Sequence, residues 1–117
     1  MKIRLFIGDS VHMATLLDTP VARDFASQLP LTLALKDYES TEKIADLPRK
    51  LNIEGAPKGH DPSPGDIAYY APWGNLAIFY RDFGYSPGLV PLGRIDAATT
   101  TALAAKGSVQ VTLERAE

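Results

Sequence analysis

The sequence predicts a mainly β domain, a small closed antiparallel barrel of about eight short strands with one or two short helices. Three observations carry that expectation. Short runs alternate apolar and polar residues from residues 2–7 to residues 109–113, the period of a half-buried strand. Proline- and glycine-rich turns separate many of the runs. So many strands in a chain of 117 residues need their edges hidden, and closure hides them best.

The elements follow in order. Ile3, Leu5 and Ile7 share one face with Lys2 and Arg4 opposite, Phe6 being the exception. Gly8, Asp9 and Ser10 supply a turn before a second run at 11–17, so the chain opens as a β-hairpin. Thr19 suits a helix cap and Pro20 the first helical position, while Val21, Phe25 and Leu29 recur every four residues until Pro30 stops them. This short helix, with its single apolar stripe, is expected to lie over the mouth or side of the sheet. Leu31, Leu33 and Leu35 mark a third strand whose partner is not evident, and a fourth at 42–47 ends at Pro48.

From there to Gly65 the chain reads as one long loop, punctuated by Gly55, Pro57, Gly59, Pro62 and Pro64. Strands at 67–71 and 76–80 follow, joined by Pro72-Trp73-Gly74-Asn75. In the second, Leu76, Ile78 and Tyr80 lie on one face and Ala77 and Phe79 on the other, which predicts a pair covered on both sides. Residues 81–91 form a second loop and 92–95 a short strand. Asp96 caps a brief helix through Leu103, and Val109, Val111 and Leu113 mark the closing strand.

Composition bounds the function classes. The chain fits a single domain over residues 1–117, with 45% hydrophobic and 22% charged residues. A formal net charge of −2 supplies no basic field for a phosphate backbone, so nucleic acid is not expected as a partner. No apolar run approaches the length of a membrane span, the start lacks the pattern of a signal peptide, and there is no cysteine, so the expected location is the cytoplasm.

The segments Pro64-Gly65-Asp66-Ile67-Ala68-Tyr69-Tyr70, Pro72 to Tyr80 and Leu92-Gly93-Arg94-Ile95 resemble those of the bacterial cyclophilin-like-fold proteins. The resemblance extends from Met1 to about Glu114 and implies a closed barrel of about eight strands with two helices. True prolyl isomerases of the cyclophilin type use an arginine in a Phe-His-Arg strand followed by Gln-Gly-Asp. Neither His12 nor His60 stands in such a context, and no isomerase residue carries over.

Seven of the ten aromatic residues lie between Pro64 and Tyr85, and aromatics concentrated beside proline- and glycine-rich loops are either core or the wall of a pocket. The candidate ligand-binding residues are Trp73, Tyr80, Arg81, Tyr85 and Arg49. A guanidinium beside aromatic rings suits a small anionic or aromatic ligand, or an extended peptide. The alternative for Arg81 is a charge pair at the barrel rim, and for Trp73 burial against the opening hairpin. The histidines lack metal-ligand spacing, the serines lack a nucleophile elbow, and nothing points to a cofactor or a catalytic residue. A non-catalytic binding module is thus the leading expectation. A weak peptidyl-prolyl isomerase and a homodimerising interaction protein are the alternatives.

Overall fold

A computed structural model describes residues 1–105 and 107–116. Eight strands close a barrel, in chain order β1 (Lys2–Ile7), β2 (Ser10–Leu16), β3 (Leu31–Tyr38), β4 (Glu42–Asp46), β6 (Asp66–Tyr70), β7 (Asn75–Phe79), β9 (Leu89–Ile95) and β10 (Val109–Arg115). The order around the wall is β1-β10-β3-β4-β7-β6-β9-β2, and every neighbouring pair is antiparallel. The third strand thus pairs with β4 across a tight turn and with β10, the latter a long-range pairing that its own residues do not encode.

Two more strands, β5 (Gly59–His60) and β8 (Ser86–Pro87), pair with each other outside the barrel. They tie the long loop that the sequence predicts at 48–65 to the second loop at 81–91, whose last residues belong to the seven-residue β9. The N–H of Leu51 donates to the buried Tyr69 hydroxyl at 3.1 Å, which anchors the start of the long loop to the barrel.

Alternation fills the lumen. Ile3, Leu5, Leu35, Ile67, Leu76, Leu92, Val111 and Leu113 are each completely buried in one apolar cluster. An eight-stranded barrel is just wide enough for side chains to fill it, and here they do. Helix α1 (Pro20–Ala26) covers the mouth reached by the end of β2, its cap made by Thr19 accepting the N–H of Ala22 at 3.2 Å. Val21, Ala22, Phe25 and Ala26 face that mouth and join the core. Helix α2 (Ala97–Ala104) follows β9 at the opposite mouth and contributes Leu103 to the same core. Asp96 caps it, accepting the N–H of Thr99 at 2.8 Å. Among the described residues no helix is long and apolar enough to cross a membrane.

At the α2 end the lumen closes with polar groups. The completely buried Lys43 ammonium meets the Asp37 carboxylate at 2.8 Å and the carbonyl of Gly107 at 2.7 Å. A buried charge is tolerable only when paired in this way.

Candidate functional site

Because side chains occupy the lumen, a ligand must meet this barrel from outside. One stretch of the outer wall is suited to that. The strand registers place Tyr38 beside Glu42, Glu42 beside Phe79, and Tyr70 beside both Asn75 and Leu89, so one outer face runs across β3, β4, β7, β6 and β9. Outer barrel faces are usually polar, yet here Ala68, Ala77, Phe79 and Leu89 form a second buried apolar cluster, with Ile44 and Tyr70 packed against it. Both faces of β6 and β7 are therefore covered, as the paired apolar pattern predicts.

The cover is incomplete and leaves a cavity of about 110 Å³. Its floor is Ile44, Phe79 and Leu89, and its rim includes Tyr38, Trp73 and Phe83. Trp73 stands on the β6–β7 turn, which is closed by the N–H groups of Trp73 and Gly74 donating to the Tyr70 carbonyl at 3.2 and 2.9 Å. The indole is about half exposed and meets Tyr38 and Tyr70 edge to face, at 5.5 and 5.2 Å between ring centres and 84° and 85° between planes. Such pairs contribute roughly 0.5–1.5 kcal/mol each beyond their buried area and hold the rings at right angles. Phe83 leans on Phe79 with ring centres 6.0 Å apart.

Two polar residues line this aromatic hollow from its buried side. Asn75 is almost wholly buried, and its Nδ2 donates to the Leu76 carbonyl at 3.1 Å. That bond fixes which end of the amide is which, because a turned amide would set two oxygens against each other. Its Oδ1 is buried and has no hydrogen-bond partner among the described residues. Glu42 is buried as well, and its carboxylate accepts only a long hydrogen bond from the Thr41 hydroxyl, at 3.4 Å, among those described. Burial pushes the Glu42 carboxyl up to about 7, the Thr41 contact opposing the shift only weakly. Among the described residues, no basic side chain lines the cavity.

Of the residues singled out from sequence, Trp73 alone lines this cavity. Tyr80 lies just beyond β7, where its hydroxyl donates to Asp37 at 2.7 Å. Burial and that carboxylate push it up to about 12. The strand expected through residue 80 thus ends at Phe79, and Tyr80 stands at a corner where its backbone N–H donates to the Thr41 carbonyl. Arg81 is exposed on the loop beyond. Tyr85 is exposed too, with its ring lying across Gly59 so closely that a side chain there would collide with it. Arg49 sits beside α1, where its guanidinium grips the Asp24 carboxylate at 2.9 and 3.1 Å and the Ser27 hydroxyl at 3.2 Å. Arg49 and Arg81 thus do not converge on the cavity.

The Pro-Gly-Asp turn has a structural explanation. Asp66 accepts from the Ser63 N–H and bonds His60, each at 2.9 Å, and also pairs with Arg94, whose other nitrogen donates to the Pro64 carbonyl at 3.0 Å. Gly65 takes φ +95°, and a Cβ there would lie 2.9 Å from the Ile95 carbonyl. The motif is a fastening between the long loop and β9.

With this geometry in place, comparison with known proteins is decisive for the family. The model of the Cyclophilin-like family matches residues 5–114. The chain belongs to that family. None of the curated proteins matches it. Among solved structures, the solution structure of the hypothetical protein AF2241 from Archaeoglobus fulgidus is similar, with a TM-score of 0.65 at 17% identity over 99% of this chain and 95% of that one. McbB, solved in complex with tryptophan, has a TM-score of 0.67 at 15% identity; 97% of this chain is covered but only 44% of McbB. At these identities the likeness is one of fold.

Three cavity residues of this Cyclophilin-like domain, Tyr38, Glu42 and Asn75, were not legible as site residues in the sequence. The available signal was alternation: an acid at an outward strand position paired with Phe79, and an asparagine inside an otherwise apolar run, are both unusual. Without the β4–β7 register, neither residue points to the other.

Proposed function

We propose that this Cyclophilin-like domain is a non-catalytic, cytoplasmic module that binds a small molecule in the outer-wall cavity beside Trp73. The observation that carries this reading is the buried Asn75 oxygen left without a partner among the described residues, in an apolar hollow, on a barrel whose lumen is full. Buried acceptors are nearly always satisfied, and one kept open costs about 1–3 kcal/mol. A ligand that supplies the missing donor regains that energy. Convergence of polar groups in an otherwise apolar pocket is the common signature of small-ligand sites. At about 110 Å³ the cavity suits a compact molecule or one end of a larger one. McbB, which shares the fold, has been solved with tryptophan, and that supports beginning with small molecules rather than macromolecules.

The test is a thermal-shift screen of metabolites on the full chain, repeated on Trp73→Ala and Phe83→Ala. Both side chains are about half exposed, so their removal should leave the fold intact. Hits that stabilise the wild type and lose at least two-thirds of their effect in both variants support the cavity as the site. Hits indifferent to both substitutions remove it.

A further inference from the structure

We infer that the ligand class of this cavity is a compact organic ammonium that retains N–H groups, such as a primary alkylamine or the end of a lysine side chain, taken up between Glu42, the Asn75 amide oxygen and the aromatic rim. The inference rests on the reading above, that the cavity is a binding site, and adds its chemistry.

Four observations favour a cation with donors. Both polar groups on the buried side accept at pH 8: Asn75 presents Oδ1 because Nδ2 is committed to Leu76, and Glu42 has only acceptor oxygens once it ionises above about pH 7. Among the described residues no basic side chain lines the cavity, so an anion would face Glu42 without compensation from them. Lys43, next to Glu42 in sequence, points to the opposite face of β4 and is held by Asp37 and the Gly107 carbonyl. The aromatic lining supplies the faces and edges of Trp73, Tyr38 and Tyr70, the indole standing nearly perpendicular to each tyrosine ring, and such aromatic corners attract cations through the negative faces of their rings.

The open Asn75 acceptor separates this ligand from a quaternary ammonium. A tetraalkylated nitrogen would satisfy the rings and Glu42 but leave Oδ1 unpaired, whereas a primary or secondary ammonium donates to it. The small volume excludes a bulky head group and fits an unbranched amine end.

The experiment is a ¹⁵N–¹H NMR titration of the full chain at pH 8, reading the Trp73 indole N–H and the backbone amides of Asn75 and Phe79. The probes are n-butylammonium, Nα-acetyl-lysine methylamide, tetramethylammonium, butyrate and 1-butanol. Saturable shifts from butylammonium or the lysine derivative, at least tenfold tighter than from butanol and tetramethylammonium and absent with butyrate, support the proposal. Whichever of the two amines binds more tightly identifies a free or a peptide-borne source. Glu42→Gln should weaken the amine at least tenfold while leaving butanol unchanged. Trp73→Leu, which replaces a half-exposed ring on a surface turn, should weaken it as well, and this keeps the test valid if Glu42→Gln misfolds. Butyrate or butanol binding at these amides as tightly as the amines overturns the cation while leaving the cavity reading intact. Silence from all five probes overturns the proposal, and the metabolite screen then decides separately whether the cavity binds anything.

Discussion

Glu42 and Phe79 are direct cross-strand partners on the outer wall, a carboxyl set against a phenyl ring across the β4–β7 ladder. An acid at this position would ordinarily reach water, but here both residues are buried, with Phe83 of the following loop leaning on the Phe79 ring. Water is thereby withdrawn from a group that needs it when ionised, and the carboxyl holds its proton to about pH 7.

That shift links stability to pH with a definite sign. The Glu42 carboxyl is raised from 4.5 in the unfolded chain to about 7 in the fold, so the folded state binds the proton more tightly. The associated stability is fully present below about pH 4.5, falls as pH rises, and is lost above about pH 7. Its full size is about 3 kcal/mol. In Glu42→Gln the loss should vanish: urea unfolding at intervals from pH 4.5 to 8.5 should show the wild type losing about 3 kcal/mol relative to the variant, then levelling off. A constant difference between the two proteins over that range would contradict the buried carboxyl.

The turn that brings Tyr38 and Glu42 together is strained. Glu39 and Ser40 both adopt φ +54°, with Thr41 N–H closing the turn onto Tyr38 at 3.1 Å. Left-handed backbone costs an ordinary residue about 1 kcal/mol, a cost that glycine avoids. Ser40→Gly should therefore stabilise the domain by about 1 kcal/mol, less the entropy that glycine adds to the unfolded chain. Thermal unfolding checks the sign, and a lower melting temperature would argue against this turn geometry.

Gly88 joins three loops around the cavity. It takes φ +83°, its N–H donates to Lys58 at 2.8 Å, its carbonyl accepts from Ala71 at 2.9 Å, and a Cβ would fall 2.9 Å from the Pro72 ring. Gly88→Ala thus meets a backbone penalty and a collision together, and should cost about 2 kcal/mol or more. The loss should appear in chemical unfolding, and the Trp73 amide, one residue from Pro72, should shift in the NMR spectrum. A variant as stable as the wild type would show that Pro72 and Gly88 do not pack as described.

Arg49 offers a contrast. Its guanidinium holds the Asp24 carboxyl below the usual range, with the Asn52 backbone N–H adding to the effect. Arg49→Ala should lower the melting temperature slightly, because the pair is partly exposed, and leave affinity at the cavity unchanged. Titration of any ligand found in the metabolite screen checks this, and an affinity loss comparable to that of Trp73→Ala would bring Arg49 back to the site.

Much of the architecture was written locally. Alternation marked the strands, Thr19 and Asp96 announced both helices, and the apolar residues on both faces of 76–79 implied a strand pair buried from two sides. These signals are legible because period, caps and turn residues act within a few positions along the chain. The boundaries that shifted, at Tyr80 and at the start of β9, are set by distant partners, Tyr80 donating to the Thr41 carbonyl and Leu89 pairing with Tyr70, and such pairing has no local signature.

The site belongs to the other category. The sequence by itself determined a family, a closed barrel, and an aromatic segment carrying Trp73. Only the tertiary structure decided that Tyr38, Glu42 and Asn75 join Trp73, while Arg49 is drawn away to Asp24 and Tyr80 to Asp37. The physical reason is register: which outward residues meet depends on how distant strands align, and on where a loop excludes water, and neither is encoded in the spacing of residues along any one segment.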